Sequence, residues 1–155
     1  YKNAEKELNK LIFNDKNNYQ YYLLLGYTFE KTGNFNKAIE NYKLSKKIKK
    51  SELITNNLAN IYIKIKNYDG AINELSESLK INKKNPITFN NYGLILILQK
   101  KENASIKFFK NAIALNSNYM DPKYNLLEIL EKPIILKNLK NILLRKFLIF
   151  LMTVF

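Results

Sequence analysis

The sequence contains no cysteine and no histidine. Without cysteine the chain has neither a disulfide framework nor a thiolate metal site. Without histidine it lacks the commonest general base and the commonest metal ligand of proteins. Tryptophan is also absent, glycine and proline are rare, and no Gly-rich phosphate loop occurs. We therefore expect a protein that is not an enzyme and that binds no metal or cofactor.

Negative charge is also scarce. The chain has 26 lysines and arginines against 13 aspartates and glutamates, which gives a net charge of +13 at pH 7. Such an excess by itself indicates a polyanion as the partner. However, Arg145 is the only arginine, and phosphate-binding proteins favour arginine for its bidentate geometry. The residues used most are also those with AT-rich codons, so we do not expect nucleic acid as a partner.

A pattern of large and small side chains recurs along the chain. Each unit reads large, large, small, large, and then small, large, small. The small positions, which recur every 33 or 34 residues, are Gly26, Ala59 and Gly93 in one series and Ala38, Ala71 and Ser105 in the other. Apolar residues at this spacing form one face of a helix, and small residues let two helix axes approach closely. Because one helix pair cannot bury its own apolar face, the pairs must stack.

The period divides residues 1–132 into a repeat array. We expect a half repeat at 1–18, full repeats at 19–51, 52–85 and 86–119, and the first helix of another repeat at 120–132. The chain opens without a methionine, which leads us to expect further sequence upstream. The exposed terminal repeats could also support an oligomer.

Residues 133–155 have a different character. Pro133 should end the preceding helix, and residues 147–155 contain a single polar side chain. Three interpretations stay open: a helix that caps the last repeat, a truncated membrane span flanked by Arg145 and Lys146, or a helix on a membrane surface. We expect a cytoplasmic location, or membrane association through this apolar segment.

The period of 34 residues and the signature Tyr22-x-x-Leu25-Gly26-x-x-Phe29 resemble the tetratricopeptide repeat family. The sequence departs from the family where a tryptophan is usual, at Tyr22, Thr55 and Phe89, and where a late proline is usual, at Lys50, Lys83 and Ser117. The resemblance implies an all-α fold, a right-handed α-solenoid of stacked antiparallel helix pairs. It also implies a protein–protein interaction scaffold that binds an extended peptide or a partner helix in a concave groove lined by the first helices.

Asparagines occupy the positions that the resemblance places in this groove. Asn57, Asn91 and Asn125 recur every 34 residues and are predicted to form a ladder. An amide both donates and accepts hydrogen bonds, which suits a peptide backbone, and a similar ladder is known from protein O-linked sugar transferases. The candidate ligand-binding residues are Asn56, Asn57, Asn60, Asn90, Asn91, Asn125 and Tyr27. Alternatively, the asparagines reflect the family consensus and codon usage, and Tyr27 and Leu23 form core instead of an apolar pocket.

Some members of the family bind the C-terminal carboxylate of chaperones through Lys, Asn and Arg. The matching positions here are Leu23, Tyr27, Asn57, Ile87 and Asn91, and none carries a cation. This mode of binding is therefore not expected. Two other functions stay open: the substrate-recognition fragment of a larger glycosyltransferase or sulfotransferase, and a membrane-tethered assembly factor.

Overall fold

The computed structural model describes residues 1–131, and every regular element in this range is an α-helix. The helices are α1 (Lys2–Asn14), α2 (Tyr19–Lys31), α3 (Phe35–Ile48), α4 (Glu52–Lys64), α5 (Tyr68–Ile81), α6 (Pro86–Leu98) and α7 (Glu102–Leu115). Residues 121–131 are also helical and are called α8. The segment at 133–155, predicted to be a cap or a truncated membrane span, lies outside the described residues.

The helices stack in antiparallel pairs. The closest packing joins α2 to α3, α4 to α5 and α6 to α7, and each pair also contacts the helix that precedes it. Because the connections are only a few residues long, consecutive helices must run antiparallel. Buried side chains from neighbouring pairs form a continuous core, which includes Leu25, Tyr42 and Leu58. The prediction of an all-α solenoid of helix pairs is confirmed.

Short polar side chains start most of these helices. A side-chain oxygen accepts a backbone N–H of the first turn at Asn18, Asn34, Ser51, Asn67 and Asn85. Each cap satisfies a donor that would otherwise have no partner inside the helix. Part of the chain's large asparagine content therefore sets helix boundaries.

The small residues of the repeat lie where two helix axes approach. A Cβ atom added to Gly26 would lie 2.6 Å from the ring of Tyr42, and one added to Gly93 would lie 2.5 Å from the ring of Phe109. The middle pair has Ala59 in this position and the smaller Leu75 opposite, in one cluster. Each pair thus balances the size of the two facing residues.

The first helices lie on the inside of the curve. Among α1 to α7, backbone contact between equivalent helices of neighbouring pairs is closest for α4 and α6, which are both first helices. The alternating helix direction places the α1–α2, α3–α4, α5–α6 and α7–α8 connections along one edge of the solenoid. Within residues 1–131, no helix is both long enough and apolar enough to cross a membrane.

Candidate functional site

Three of the predicted site residues, Asn56, Asn90 and Asn91, are buried, each with 3% of its surface exposed. The Asn56 Nδ2 donates to the Glu52 carbonyl and Ser78 Oγ, both at 2.8 Å, and to Thr88 Oγ1 at 3.0 Å. These bonds join α4 to α5 and α6. The expectation that these three amides line an open groove is corrected: they hold neighbouring helices together.

A ladder of asparagines does exist, but its register differs from the predicted one. The Asn91 Nδ2 donates to Asn56 Oδ1 at 3.2 Å, and the Asn125 Nδ2 donates to Asn90 Oδ1 at 3.0 Å. Each bond joins residues that are 35 apart in the chain and not 34. An asparagine at one position of the repeat therefore bonds to the asparagine one position earlier in the preceding repeat. The predicted ladder consists of residues at the same position of the repeat, Asn57, Asn91 and Asn125, but their side chains do not form hydrogen bonds with one another.

The ladder is interrupted between α2 and α4. The position equivalent to Asn56 and Asn90 in the first full repeat is Leu23, which has no amide and packs against the core. Asn57 therefore lacks the partner that Asn91 and Asn125 have. The side chains of Asn57 and Asn60 are partly exposed, and neither forms a hydrogen bond within residues 1–131. Their amides are available for a ligand.

Tyr27 lies on the surface, with 48% of its area exposed. The Lys31 Nζ lies 5.0 Å from the centroid of its ring, a distance at which a cation–π attraction acts. Leu23 is partly buried and packs against the core, as the alternative interpretation of this residue expected. Tyr27 is nevertheless accessible, as a groove contact requires.

Exposed apolar side chains that the sequence analysis did not assign to ligand binding share helix faces with the predicted asparagines. On α4, Leu53, Asn57 and Asn60 follow one another at helical spacing and share a face. On α6, Ile87 and Leu98 lie at the ends of the equivalent face. Leu53, Ile87 and Leu98 are exposed. Their spacing of four or seven residues from the asparagines of the same helix was the signal that could have identified them.

Charge in this region is mostly neutralised. The Lys64 Nζ forms an ion pair with Glu30 Oε1 at 2.6 Å, and the buried Tyr42 hydroxyl donates to Glu30 Oε2 at 2.9 Å. Burial, followed by the nearby Glu30 carboxylate, raises the pKa of Tyr42 well above its ordinary value. Burial and the Asp121 carboxylate raise the pKa of Tyr119 to about 12. Over the described range, no group of His, Cys, Asp and Glu side chains has the arrangement of a metal site.

The stacked pairs and the shared surface of their first helices define a helical-repeat solenoid of the tetratricopeptide type. Residues 24–121 match the family model described as "Tetratricopeptide repeat protein 21 forth ARM domain", and the chain belongs to this family of tetratricopeptide-type repeats. The membership predicted from the 34-residue period is confirmed. No curated protein sequence matches the chain significantly.

Solved structures share the fold at low sequence identity. The crystal structure of MamA is 20% identical with a TM-score of 0.70, and the match covers 82% of this chain and 75% of MamA. The structure of pilF from Pseudomonas aeruginosa is 21% identical with a TM-score of 0.74, covering 84% of this chain and 62% of pilF. The first tetratricopeptide domain of Spaghetti (RPAP3), bound to an HSP90 peptide, is 17% identical with a TM-score of 0.66, covering 73% and 90%.

Proposed function

We propose that this chain is a protein–protein interaction scaffold that binds an extended peptide in the groove lined by α2, α4 and α6. The observation that carries the proposal is the pair of free amides on Asn57 and Asn60, partly exposed on the inner helix α4. A peptide backbone offers a donor and an acceptor at every residue. Two free amides on one helix face can therefore bind it whatever the peptide's sequence.

The exposed apolar side chains supply the rest of the binding free energy. Leu53 on α4 and Ile87 and Leu98 on α6 lie on the same faces as the asparagines. Burial of such side chains contributes roughly 25 cal/mol for each Å² of apolar surface removed from water. The preferred peptide should therefore carry aliphatic side chains. The Spaghetti (RPAP3) domain, which has the same fold, was solved with a bound peptide, and this supports peptide binding by the groove.

The absence of cations at Leu23, Tyr27 and Ile87 argues for an internal peptide segment and against a terminal carboxylate. A carboxylate at these three positions would meet apolar and aromatic side chains, none of which carries a charge to pair with. The scaffold has no catalytic role in this proposal.

The proposal is tested with a random peptide library displayed on phage and selected on the full chain. Synthetic versions of the selected peptides are then measured by fluorescence anisotropy. We expect Asn57→Ala combined with Asn60→Ala to weaken their binding at least about tenfold, as the loss of two hydrogen bonds implies.

The matched control changes two exposed asparagines of the outer helix α7, Asn103 and Asn111, to alanine. This variant should bind the selected peptides as the unaltered chain does. Equal affinity of the α4 variant and the unaltered chain, or selected peptides that bind only the outer helices, would contradict the proposal.

A further inference from the structure

A positively charged surface lies on the edge of the solenoid, away from the groove. The α3–α4 connection with the last turn of α3 carries Lys47, Lys49 and Lys50, and the α5–α6 connection with the last turn of α5 carries Lys80, Lys83 and Lys84. All six side chains are exposed. These six lysines are called the basic edge.

The two halves of the basic edge lie side by side. Lys50 and Lys80 line one shallow depression of about 200 Å³ together with Glu77 and Ile81. The carboxylates nearest to this edge already have partners. Glu77 forms an ion pair with Lys46 at 2.6 Å, and Glu52 accepts a hydrogen bond from the Asn82 amide at 3.2 Å. Glu52, whose partner is a neutral amide, and Glu77, which also interacts with Lys50 and Lys80, offset part of the charge of the six lysines and leave a net positive edge.

The charge is concentrated at this place. The α3–α4 connection, residues 49–51, and the α5–α6 connection, residues 82–85, each hold two lysines and no carboxylate. The α1–α2 connection, residues 15–18, has one aspartate and one lysine, and the α7–α8 connection, residues 116–120, has neither lysine nor carboxylate. The two lysine-rich connections of this edge are neighbours, which brings their charge together.

Aliphatic side chains accompany the lysines. Ile48 and Ile81 end α3 and α5, and 39% and 46% of their areas are exposed. They occupy equivalent positions of neighbouring repeats and so point to the same edge. Long lysine side chains around exposed aliphatic residues are the composition of surfaces that lie at a lipid interface.

We propose that the basic edge binds the surface of an anionic lipid membrane, with the lysines at the phosphate groups and Ile48 and Ile81 at the headgroup level. Nucleic acid fits this surface less well. A compact lysine ammonium attracts an anionic surface as a point charge, whereas single-stranded nucleic acid needs open aromatic rings for base stacking. Two aromatic rings lie near this edge: Tyr19 is covered by the Lys49 ammonium, 4.6 Å from its centroid, and the half-buried Tyr22 lines a depression with Lys47 and Ile48.

The test uses the full chain and sucrose-loaded vesicles, either of pure phosphatidylcholine or of phosphatidylcholine with phosphatidylglycerol. We expect co-sedimentation with the anionic vesicles that weakens as salt is raised, because a lysine near an anionic surface acts within roughly one Debye length. The variant K47E/K50E/K83E/K84E should lower the partition coefficient at least about tenfold. Ile48→Ser combined with Ile81→Ser should lower it by a smaller factor.

The matched control is K6E/K43E/K107E/K110E, which makes the same change in net charge at exposed lysines of α1, α3 and α7. It should change partitioning by less than about threefold. Circular dichroism verifies folding, and the corresponding Lys→Gln variant is used if the edge reversal unfolds the chain. Equal binding to neutral vesicles, equal loss in both charge variants, or binding to an RNA oligonucleotide or an acidic peptide without binding to anionic vesicles would each overturn the proposal.

Discussion

At the scale of single residues, the packing of each helix pair depends on two facing side chains. Gly26 faces Tyr42, Gly93 faces Phe109, and Ala59 shares a cluster with Leu75. A larger residue on one helix accompanies a smaller residue on the other. The relation is steric, since the closest atoms belong to rings that are themselves completely buried and cannot move aside.

Gly93→Ala should destabilise the fold by about 1–3 kcal/mol, the usual range for overpacking. Its Cβ would lie 2.5 Å from Phe109 Cε1. Phe109→Leu alone should also destabilise, because it leaves a cavity. The double variant restores the size relation of Ala59 and Leu75 and should be more stable than the sum of the single effects predicts, by at least about 1 kcal/mol. Urea unfolding of the four proteins measures this coupling, and strict additivity would contradict the explanation.

At the scale of helices, two adjacent asparagines have opposite roles. Asn56 is buried and bonded to α5 and α6, while Asn57 is partly exposed and lacks a partner in the described part of the chain. One position along a helix turns a side chain by about 100°. This rotation separates a residue that joins repeats from one that is available for a ligand.

Asn56→Leu should therefore lower the free energy of unfolding by about 2–3 kcal/mol, because the buried Asn91 amide loses its acceptor. Asn57→Leu should change stability by less than about 0.5 kcal/mol, as is usual for an exposed position, while weakening peptide binding. Urea titrations and peptide anisotropy on the same two variants measure both effects. Equal loss of stability in the two variants would show that Asn57 is structural as well. Asn56→Leu with Asn91→Leu should recover part of the loss, since the Asn91 amide is then removed together with its acceptor, while Ser78 and Thr88 keep their bond to each other.

The same contrast explains what could be predicted from the sequence. The small positions Gly26, Ala59 and Gly93 predicted the all-α solenoid and its family. They could do so because the packing of helix pairs imposes a repeat that recurs several times within this one sequence. The binding residues of the groove were harder to predict from the sequence. A repeat position shared by Asn57 and Asn91 does not reveal that Leu23 leaves one amide free while Asn56 engages the other. That difference depends on which side chain lies across the interface between successive repeats, and this is a tertiary property.

At the scale of the whole molecule, polar contacts link elements distant in sequence. Lys46 of α3 forms ion pairs with Glu74 at 2.7 Å and Glu77 at 2.6 Å on α5. The hydrogen bond that Lys46 donates lowers the pKa of Glu77. Burial by itself would lower the pKa of Lys46, but the hydrogen bonds that it donates to Glu74 and Glu77 outweigh this and raise its pKa. The stabilisation from Glu77 is present above its ordinary pKa and is lost as the pH falls through its lowered value. Acid should therefore loosen the contact between these two outer helices.

Alkaline pH should loosen the inner contact of α2 with α3. In the folded chain burial and Glu30 raise the pKa of Tyr42 above its ordinary value of 10.0, so above pH 10 the unfolded chain loses this proton while the folded chain retains it. The contribution of Tyr42 to the free energy of unfolding then falls by on the order of 1 kcal/mol for each pH unit.

Tyr42→Phe should be less stable than the unaltered chain near neutral pH by about 1–3 kcal/mol, because the hydrogen bond to the Glu30 carboxylate is lost. This difference should shrink as the pH rises above 10, since phenylalanine does not titrate. Thermal unfolding, followed by circular dichroism at several pH values across this range, measures the difference in stability. Tyr124→Phe, at an exposed tyrosine, is the control for the loss of stability that titration of the lysines causes in every variant. A difference that stays constant with pH would show that the Tyr42 proton does not contribute to stability.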